Sequence, residues 1–261
     1  MLKILDLVQP ESIDEAYKVL TESHKSAVLG GCAFLRMGSK TINTAIDLSK
    51  LDLNYIREDN DYIEIGAMAT FRDIETHPAL KEHFNGVLPK SVNNIIGVQF
   101  RNVVTVGASV FSKYGFSDLI TALLALDTEV ELYKGGRMPL AQFMEESLQK
   151  DILTKVFIKK TGRIASYQSL RNSSSDFPIL NAAVSKLDNN WLVVVGARPT
   201  RAVIATNASE KLSNGEDISN SAKAAAEELS FAGNLRGSAE YRKAMCEVLV
   251  KRAATEVMQC R

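Results

Sequence analysis

Cysteine and histidine are scarce in this chain of 261 residues, with three of each. Cys32, Cys246 and Cys260 stand too far apart for a CxxC pair, and an odd number argues against a disulfide framework. His24, His77 and His83 show no HExxH or comparable ligand spacing. The pattern therefore gives no support to a metal site or an iron–sulfur cluster built by this chain alone. An excess of either charge is missing too. Lys plus Arg number 31 and Asp plus Glu number 31, so no net field draws in nucleic acid or anionic lipid. No apolar run approaches the ~20 residues of a membrane helix. The longest candidate, 119–126, is short and contains Thr121. Asp6 interrupts the N-terminal stretch where a signal peptide needs continuous apolar residues. The expected location is the cytoplasm. What is present is ordinary globular material, 46% apolar and 24% charged. That is too apolar for a disordered chain and long enough for one or two domains with cores.

Helix and strand signals alternate through the first part. Ser12 and Glu15 have capping-box spacing before the apolar face Ile13, Ala16, Tyr17, Val19 and Leu20. Strands are expected at 27–29, 45–48 and 62–65. Thr70 and Asp73 form a second capping-box pattern, and Pro78 suits the start of another short helix. A helix is expected over 88–96. The β-branched run 103–106 reads as a strand ending at Gly107. Ser117 or Asp118 caps a helix reaching Leu126. A strand at 130–133, a turn at Gly135-Gly136, a helix over 140–148 and a strand at 152–158 complete this part. The character changes after about Lys160. Strands 164–169, 181–187 and 191–195 follow, the last two joined through Asp188, Asn189 and Asn190 as a hairpin. From Ser219 the chain is mostly helical, ending in a long helix over 241–258. The fold class is α+β with an α/β-like N-terminal part, divided near residue 160.

Two glycine turns follow expected strands: Leu29-Gly30-Gly31-Cys32-Ala33-Phe34-Leu35 and Thr105-Val106-Gly107-Ala108-Ser109. Small residues at a strand end let backbone N–H groups approach a phosphate, and two such turns suit the two phosphates of a dinucleotide. Neither matches GxGxxG or GxxxxGK[ST], and there is no GxSxG elbow. By residue type alone each turn is an ordinary tight turn, Asp118 an N-cap, Cys32 a small space-filler, Trp191 hairpin core, and Arg171 with Asp176 the flanks of a polar serine loop. Lys155, Lys159 and Lys160 read as a solvated strand edge.

The order of these segments resembles the FAD-binding medium subunit of molybdenum hydroxylases, the family of xanthine dehydrogenase, carbon monoxide dehydrogenase and nicotinate dehydrogenase flavoproteins. Five segments carry the resemblance across essentially the whole chain: 28–35, 65–70, Arg101-Asn102-Val103-Val104-Thr105-Val106-Gly107, Ser117-Asp118-Leu119 with Leu123 to Asp127, and Gly237-Ser238-Ala239-Glu240-Tyr241-Arg242. The resemblance implies a FAD-binding domain over 1–160, made of two subdomains split near residue 55, then a small α+β domain over 161–261. It implies that Leu29, Gly30, Gly31, Cys32, Ala33, Phe34 and Leu35, with Thr105, Val106, Gly107, Ala108 and Ser109, bind the FAD pyrophosphate through backbone N–H groups. Asp118 matches an aspartate near the flavin end, and Leu153 and Gln168 fall where related chains touch the cofactor. No catalytic side chain and no metal ligand are implied. The implied role is electron transfer from a [2Fe–2S] subunit, fed by a molybdenum-cofactor subunit, through FAD to NAD+ or another acceptor. A stand-alone flavin reductase and a non-enzymatic assembly subunit are the alternatives. Two departures stand out: Cys32 where a polar residue is usual, and Gly107-Ala108-Ser109 where Gly-Gly-Asn is usual. The cysteine-rich insertion of some relatives is absent.

Overall fold

The computed structural model describes residues 1–147 and 150–260. A three-stranded parallel sheet opens the chain, with β1 (Lys3–Val8) and β2 (Ser26–Leu29) flanking β3 (Thr41–Asp47). Helix α1 (Ile13–Glu22) packs on it through Ala16 and Leu20. Its start is fixed as the sequence predicts. The Ser12 hydroxyl accepts from the Glu15 N–H at 3.2 Å, while Glu15 reaches back to the N–H of Glu11 rather than of Ser12. β1 was not among the expected strands, because its side chains are almost wholly exposed and Asp6 breaks the apolar pattern.

An antiparallel sheet follows, in the order β4 (Ile56–Glu58), β5 (Tyr62–Gly66), β8 (Leu153–Lys159), β6 (Thr128–Leu132), β7 (Gly136–Pro139). Ile63, Ile65, Val130 and Val156 alternate inward with charged neighbours outward, the pattern of a sheet with one packed face. Between β5 and β6 lie α2 (Phe71–Thr76), α3 (Pro78–Glu82), α4 (Val87–Val92), α5 (Val98–Arg101), α6 (Val106–Phe111) and α7 (Asp118–Leu124). Short α8 (Leu140–Glu145) follows β7. The Thr70–Asp73 capping box at α2 forms completely.

Four expectations need correction here. The run 103–106 is not a strand. Thr105 instead caps α6, and Val106 opens it. The helix expected over 88–96 ends at Val92, and the one expected over 140–148 ends at Glu145, with Leu148 outside the described residues. Lys155 and Lys159 do not sit on a sheet edge, since β8 is the middle strand. Lys155 instead lies 3.5 Å from Glu64 and 3.8 Å from Glu131 on flanking strands.

A four-stranded antiparallel sheet completes the chain, in the order β12 (Val203–Ile204), β11 (Asn190–Gly196), β10 (Leu180–Leu187), β9 (Ile164–Leu170). Helices α9 (Thr206–Ser213), α10 (Ile218–Glu228) and α11 (Ala239–Gln259) cover one face, where Ala182, Val184, Val193, Val195 and Trp191 pack. The other face sends Ala165, Tyr167, Ala183 and Val194 into the core that holds α4 and α7. Alternate residues of β9 to β11 thus serve two cores, which explains their near-complete burial. Buried Arg242 of α11 ties this region together by donating to the carbonyl oxygens of Ile179 and Ala197.

Candidate functional site

Strand β2 ends at Leu29, and the chain turns through Gly30 and Gly31. Gly31 and Cys32 both hold left-handed backbone, at φ +59° and +55°. The turn lies on the start of α6. A Cβ on Gly30 would stand 2.5 Å from Ala108 Cβ and 2.6 Å from Thr105 Oγ1, and one on Gly31 only 1.5 Å from the carbonyl oxygen of Val103. The two glycine turns, 70 residues apart in the chain, are therefore one packed unit, and glycine is required on the first because backbone meets backbone.

The two turns offer different chemistry. Among the described residues, the N–H groups of Gly31, Ala33 and Phe34 donate to no protein acceptor. The second turn corrects the expectation of free amides. Val106 donates to Ala69 O at 2.8 Å, Gly107 to Ala67 O at 2.8 Å and Ser109 to Thr105 O at 3.1 Å, while Ala108 points to Thr105 Oγ1 at 3.4 Å. Its contribution is shape and the Ser109 hydroxyl, which faces that of Ser117 at 3.5 Å. Ala108 has helical backbone, so its methyl adds no strain of its own. A cleft of about 650 Å³ opens beside both turns, lined by Gly31, Asn102, Val103, Thr105, Tyr55 and Arg57 among others.

Phe34 links the first turn to an aromatic wall. Its ring centroid lies 4.8 Å from Tyr114 and 5.4 Å from Phe116, and Phe116 lies 4.5 Å from Phe177. Two residues beyond Phe116 stands Asp118, only 4% exposed. It is the first residue of α7, and the cap is Ser117, whose hydroxyl accepts from Ile120 N–H. Asp118 Oδ1 accepts from the Tyr167 hydroxyl and from Asn181 Nδ2 at 3.1 Å, and Arg171 Nη2 lies 2.8 Å away. Burial, and then the carboxylate itself, raise the Tyr167 hydroxyl well above its ordinary range, so it stays a donor. Burial works against the Arg171 charge, but Asp118 more than offsets it, and the guanidinium is held more firmly protonated.

Sequence reasoning placed Arg171 in a polar loop and did not single out Tyr167 or Asn181. The Asn in the otherwise apolar run Leu180-Asn181-Ala182-Ala183-Val184 was the available signal. Leu153 is buried in the core under β8. The Gln168 side chain lies on the opposite face of β9 from Tyr167 and donates to Glu256 on α11 at 2.8 Å, so it does not join Asp118. The Cys32 thiol is pushed up, first by burial and then by Asp47, which is the opposite of activation.

Residues 3–160 match the model of the FAD binding domain in molybdopterin dehydrogenase. The chain belongs to that family. Residues 165–257 match the CO dehydrogenase flavoprotein C-terminal domain. The nicotine 6-hydroxylase medium subunit of Paenarthrobacter nicotinovorans is 25% identical over 98% of both chains. The nicotinate dehydrogenase FAD-subunit of Eubacterium barkeri is 30% identical over 61% of this chain and 60% of its own. Among solved structures, carbon monoxide dehydrogenase from Hydrogenophaga pseudoflava superposes with a TM-score of 0.89 at 21% identity, over 99% of each chain. Quinoline 2-oxidoreductase from Pseudomonas putida 86 gives 0.85 at 18%, over 99% and 97%. These likenesses extend the fold over the whole chain.

The protein is thus a flavin-dependent oxidoreductase subunit with FAD as its cofactor. Its residues fit that group. The free amides after β2 suit a pyrophosphate, the aromatic wall suits a flat ring, and Asp118 is a carboxylate acceptor beside that wall. Among the described residues, no three His, Cys, Asp or Glu converge to hold a metal, and no helix is long and apolar enough to cross a membrane.

Proposed function

We propose that this chain is the electron-transfer subunit of a molybdenum hydroxylase. It takes electrons from a [2Fe–2S] subunit, which a molybdenum-cofactor subunit supplies, and passes them to NAD+ or another acceptor. The observation that carries the proposal is the packing of the Gly30-Gly31 turn onto Thr105 and Ala108, beside an aromatic wall that leads to buried Asp118. Its likeness to the medium subunit of nicotine 6-hydroxylase and the medium chain of carbon monoxide dehydrogenase supports a place within a larger assembly. Bound here, FAD supplies a carrier that accepts electrons singly and releases them in pairs.

The chain's own residues bind, orient and shield. The N–H groups of Gly31, Ala33 and Phe34 receive the pyrophosphate, and the Ser109 and Ser117 hydroxyls add donors beside it. Phe34, Tyr114 and Phe116 exclude water from the ring. Asp118 accepts a hydrogen bond and fixes the ring's position. No acid or base acts in this scheme, in keeping with a site whose one buried carboxylate already accepts from Tyr167 and Asn181 and is paired with the Arg171 charge. Residues 1–160 hold the cofactor in this proposal, and 161–261 brace it through Tyr167, Arg171 and Asn181.

The test is co-purification of the tagged full chain from its native host. FAD, molybdenum and iron in fixed ratio, with NAD+ reduced on substrate addition, is the expected result. A chain that carries flavin and oxidises NADH but brings no metal partner would identify a stand-alone flavin reductase instead.

A further inference from the structure

Asp118 is held unevenly. Tyr167, Asn181 and Arg171 all converge on Oδ1, and among the described residues no hydrogen bond is donated to Oδ2. The arrangement is built from several directions. Thr121 Oγ1 donates to Asn181 Oδ1 at 2.9 Å, which turns the amide so that its NH2 faces Asp118. Gly196 leaves the room for this pair, since a Cβ there would fall 2.2 Å from Thr121 Oγ1 and 2.4 Å from Asn181 Oδ1. Arg171 Nη1 is fixed to the carbonyl oxygen of Asp176 at 2.6 Å, and Phe177 beside it packs on Phe116. A buried carboxylate needs such a partner, because an unpaired charge in low dielectric is strongly unfavourable.

We propose that Tyr167, Asn181 and Arg171 are positioning residues that hold Oδ1 and offset the charge of Asp118, leaving Oδ2 to accept from an N–H of the flavin ring. The inference rests on the FAD reading of this site. Its consequence is electrostatic. A bare carboxylate beside the ring opposes added electrons, whereas a carboxylate paired with Arg171 opposes them far less. Arg171 therefore sets the flavin potential without touching the ring.

The test uses the full chain reconstituted with FAD, and reads the flavin midpoint potential, the visible spectrum and the FAD affinity. Arg171→Met is expected to shift the potential negative and weaken FAD binding about tenfold, one unit of ~1.4 kcal/mol. Arg171→Lys is expected to restore most of both, and in an Asp118→Asn background Arg171→Met is expected to weaken FAD binding by much less than tenfold, because the carboxylate that Arg171 holds is gone. Tyr167→Phe, which keeps the ring packing, is expected to change the spectrum with little change in thermal midpoint. Should Arg171→Met fail to fold, the Arg171→Lys and Tyr167→Phe pair carries the same readouts. Wild-type potential and spectrum in every folded variant that retains FAD would overturn the inference alone. A wild-type chain that takes up no FAD, by itself or with its partners, would instead remove the function reading and the inference together.

Discussion

Gly30 lies against Ala108 with no room for another carbon: a Cβ on Gly30 would stand 2.5 Å from that of Ala108. This contact joins the two turns and shapes the cleft beside them. Gly30→Ala is expected to destabilise the protein by about 2 kcal/mol, the usual scale of overpacking, and to weaken FAD binding. Ala108→Gly in the same chain is expected to recover part of the loss but not all, because Thr105 Oγ1 lies 2.6 Å from the same position. Thermal unfolding of the four chains in the cycle checks this.

Gly31→Ala is expected to be worse than Gly30→Ala. The added Cβ meets the carbonyl oxygen of Val103 at 1.5 Å, and φ is +59°. Backbone cannot step aside as a side chain can, and a left-handed site adds its own penalty. The expected result is loss of soluble folded protein or a far lower unfolding midpoint, read by circular dichroism.

Cys32 is expected to be a sluggish thiol. Burial, helped by Asp47, raises its pKa above the ordinary value, so little thiolate forms at pH 8. Alkylation followed by peptide mass spectrometry is expected to be about tenfold slower in the folded chain than in urea. Equal rates would contradict this.

Much of this was legible in the sequence, and the failures have physical causes. The strand at 62–65 was readable because Ile63 and Ile65 alternate with outward polar residues. The Thr70–Asp73 capping box and the Ser12 cap were readable because their spacing is local, although Glu15 does not close the box on Ser12. Val103 to Val106 misled because β-branched residues favour strands, yet here the Thr105 hydroxyl and the acceptors Ala67 O and Ala69 O fix a helix start. Helix α9, Thr-Asn-Ala-Ser-Glu-Lys-Leu-Ser, went unread because it buries only Ala208, Ser209 and Leu212 and lacks a side-chain cap. The glycine turns were visible as turns, and their order carried the family resemblance. The partners of Asp118 were not visible, because Tyr167, Arg171 and Asn181 are 49 to 63 residues away and meet it only through tertiary packing.

Glu75 and Arg101 give a pH-dependent prediction. Arg101 Nε and Nη2 donate to the two Glu75 oxygens at 2.9 and 3.0 Å, with the guanidinium nearly buried. Burial alone would raise the Glu75 carboxyl, but hydrogen bonds from Arg101 and then Arg72 outweigh it and hold it below its ordinary value of 4.5. A folded pKa below the unfolded one means stability that is present above pH 4.5 and lost as pH falls through the folded value. Arg101→Met is expected to cost about 3 kcal/mol at pH 7 and less once Glu75 is protonated. Urea unfolding at pH 7 and pH 3.5 checks the difference.

The paired glycine turns and Asp118 are proposed to form a FAD site. Its most direct test is the visible spectrum of the purified full chain, alone and co-expressed with its partner subunits, after FAD is added and the excess removed. Flavin bands near one per chain in at least one preparation, reduced in Gly30→Ala, are the expected result. Flavin-free protein in both preparations would contradict the account.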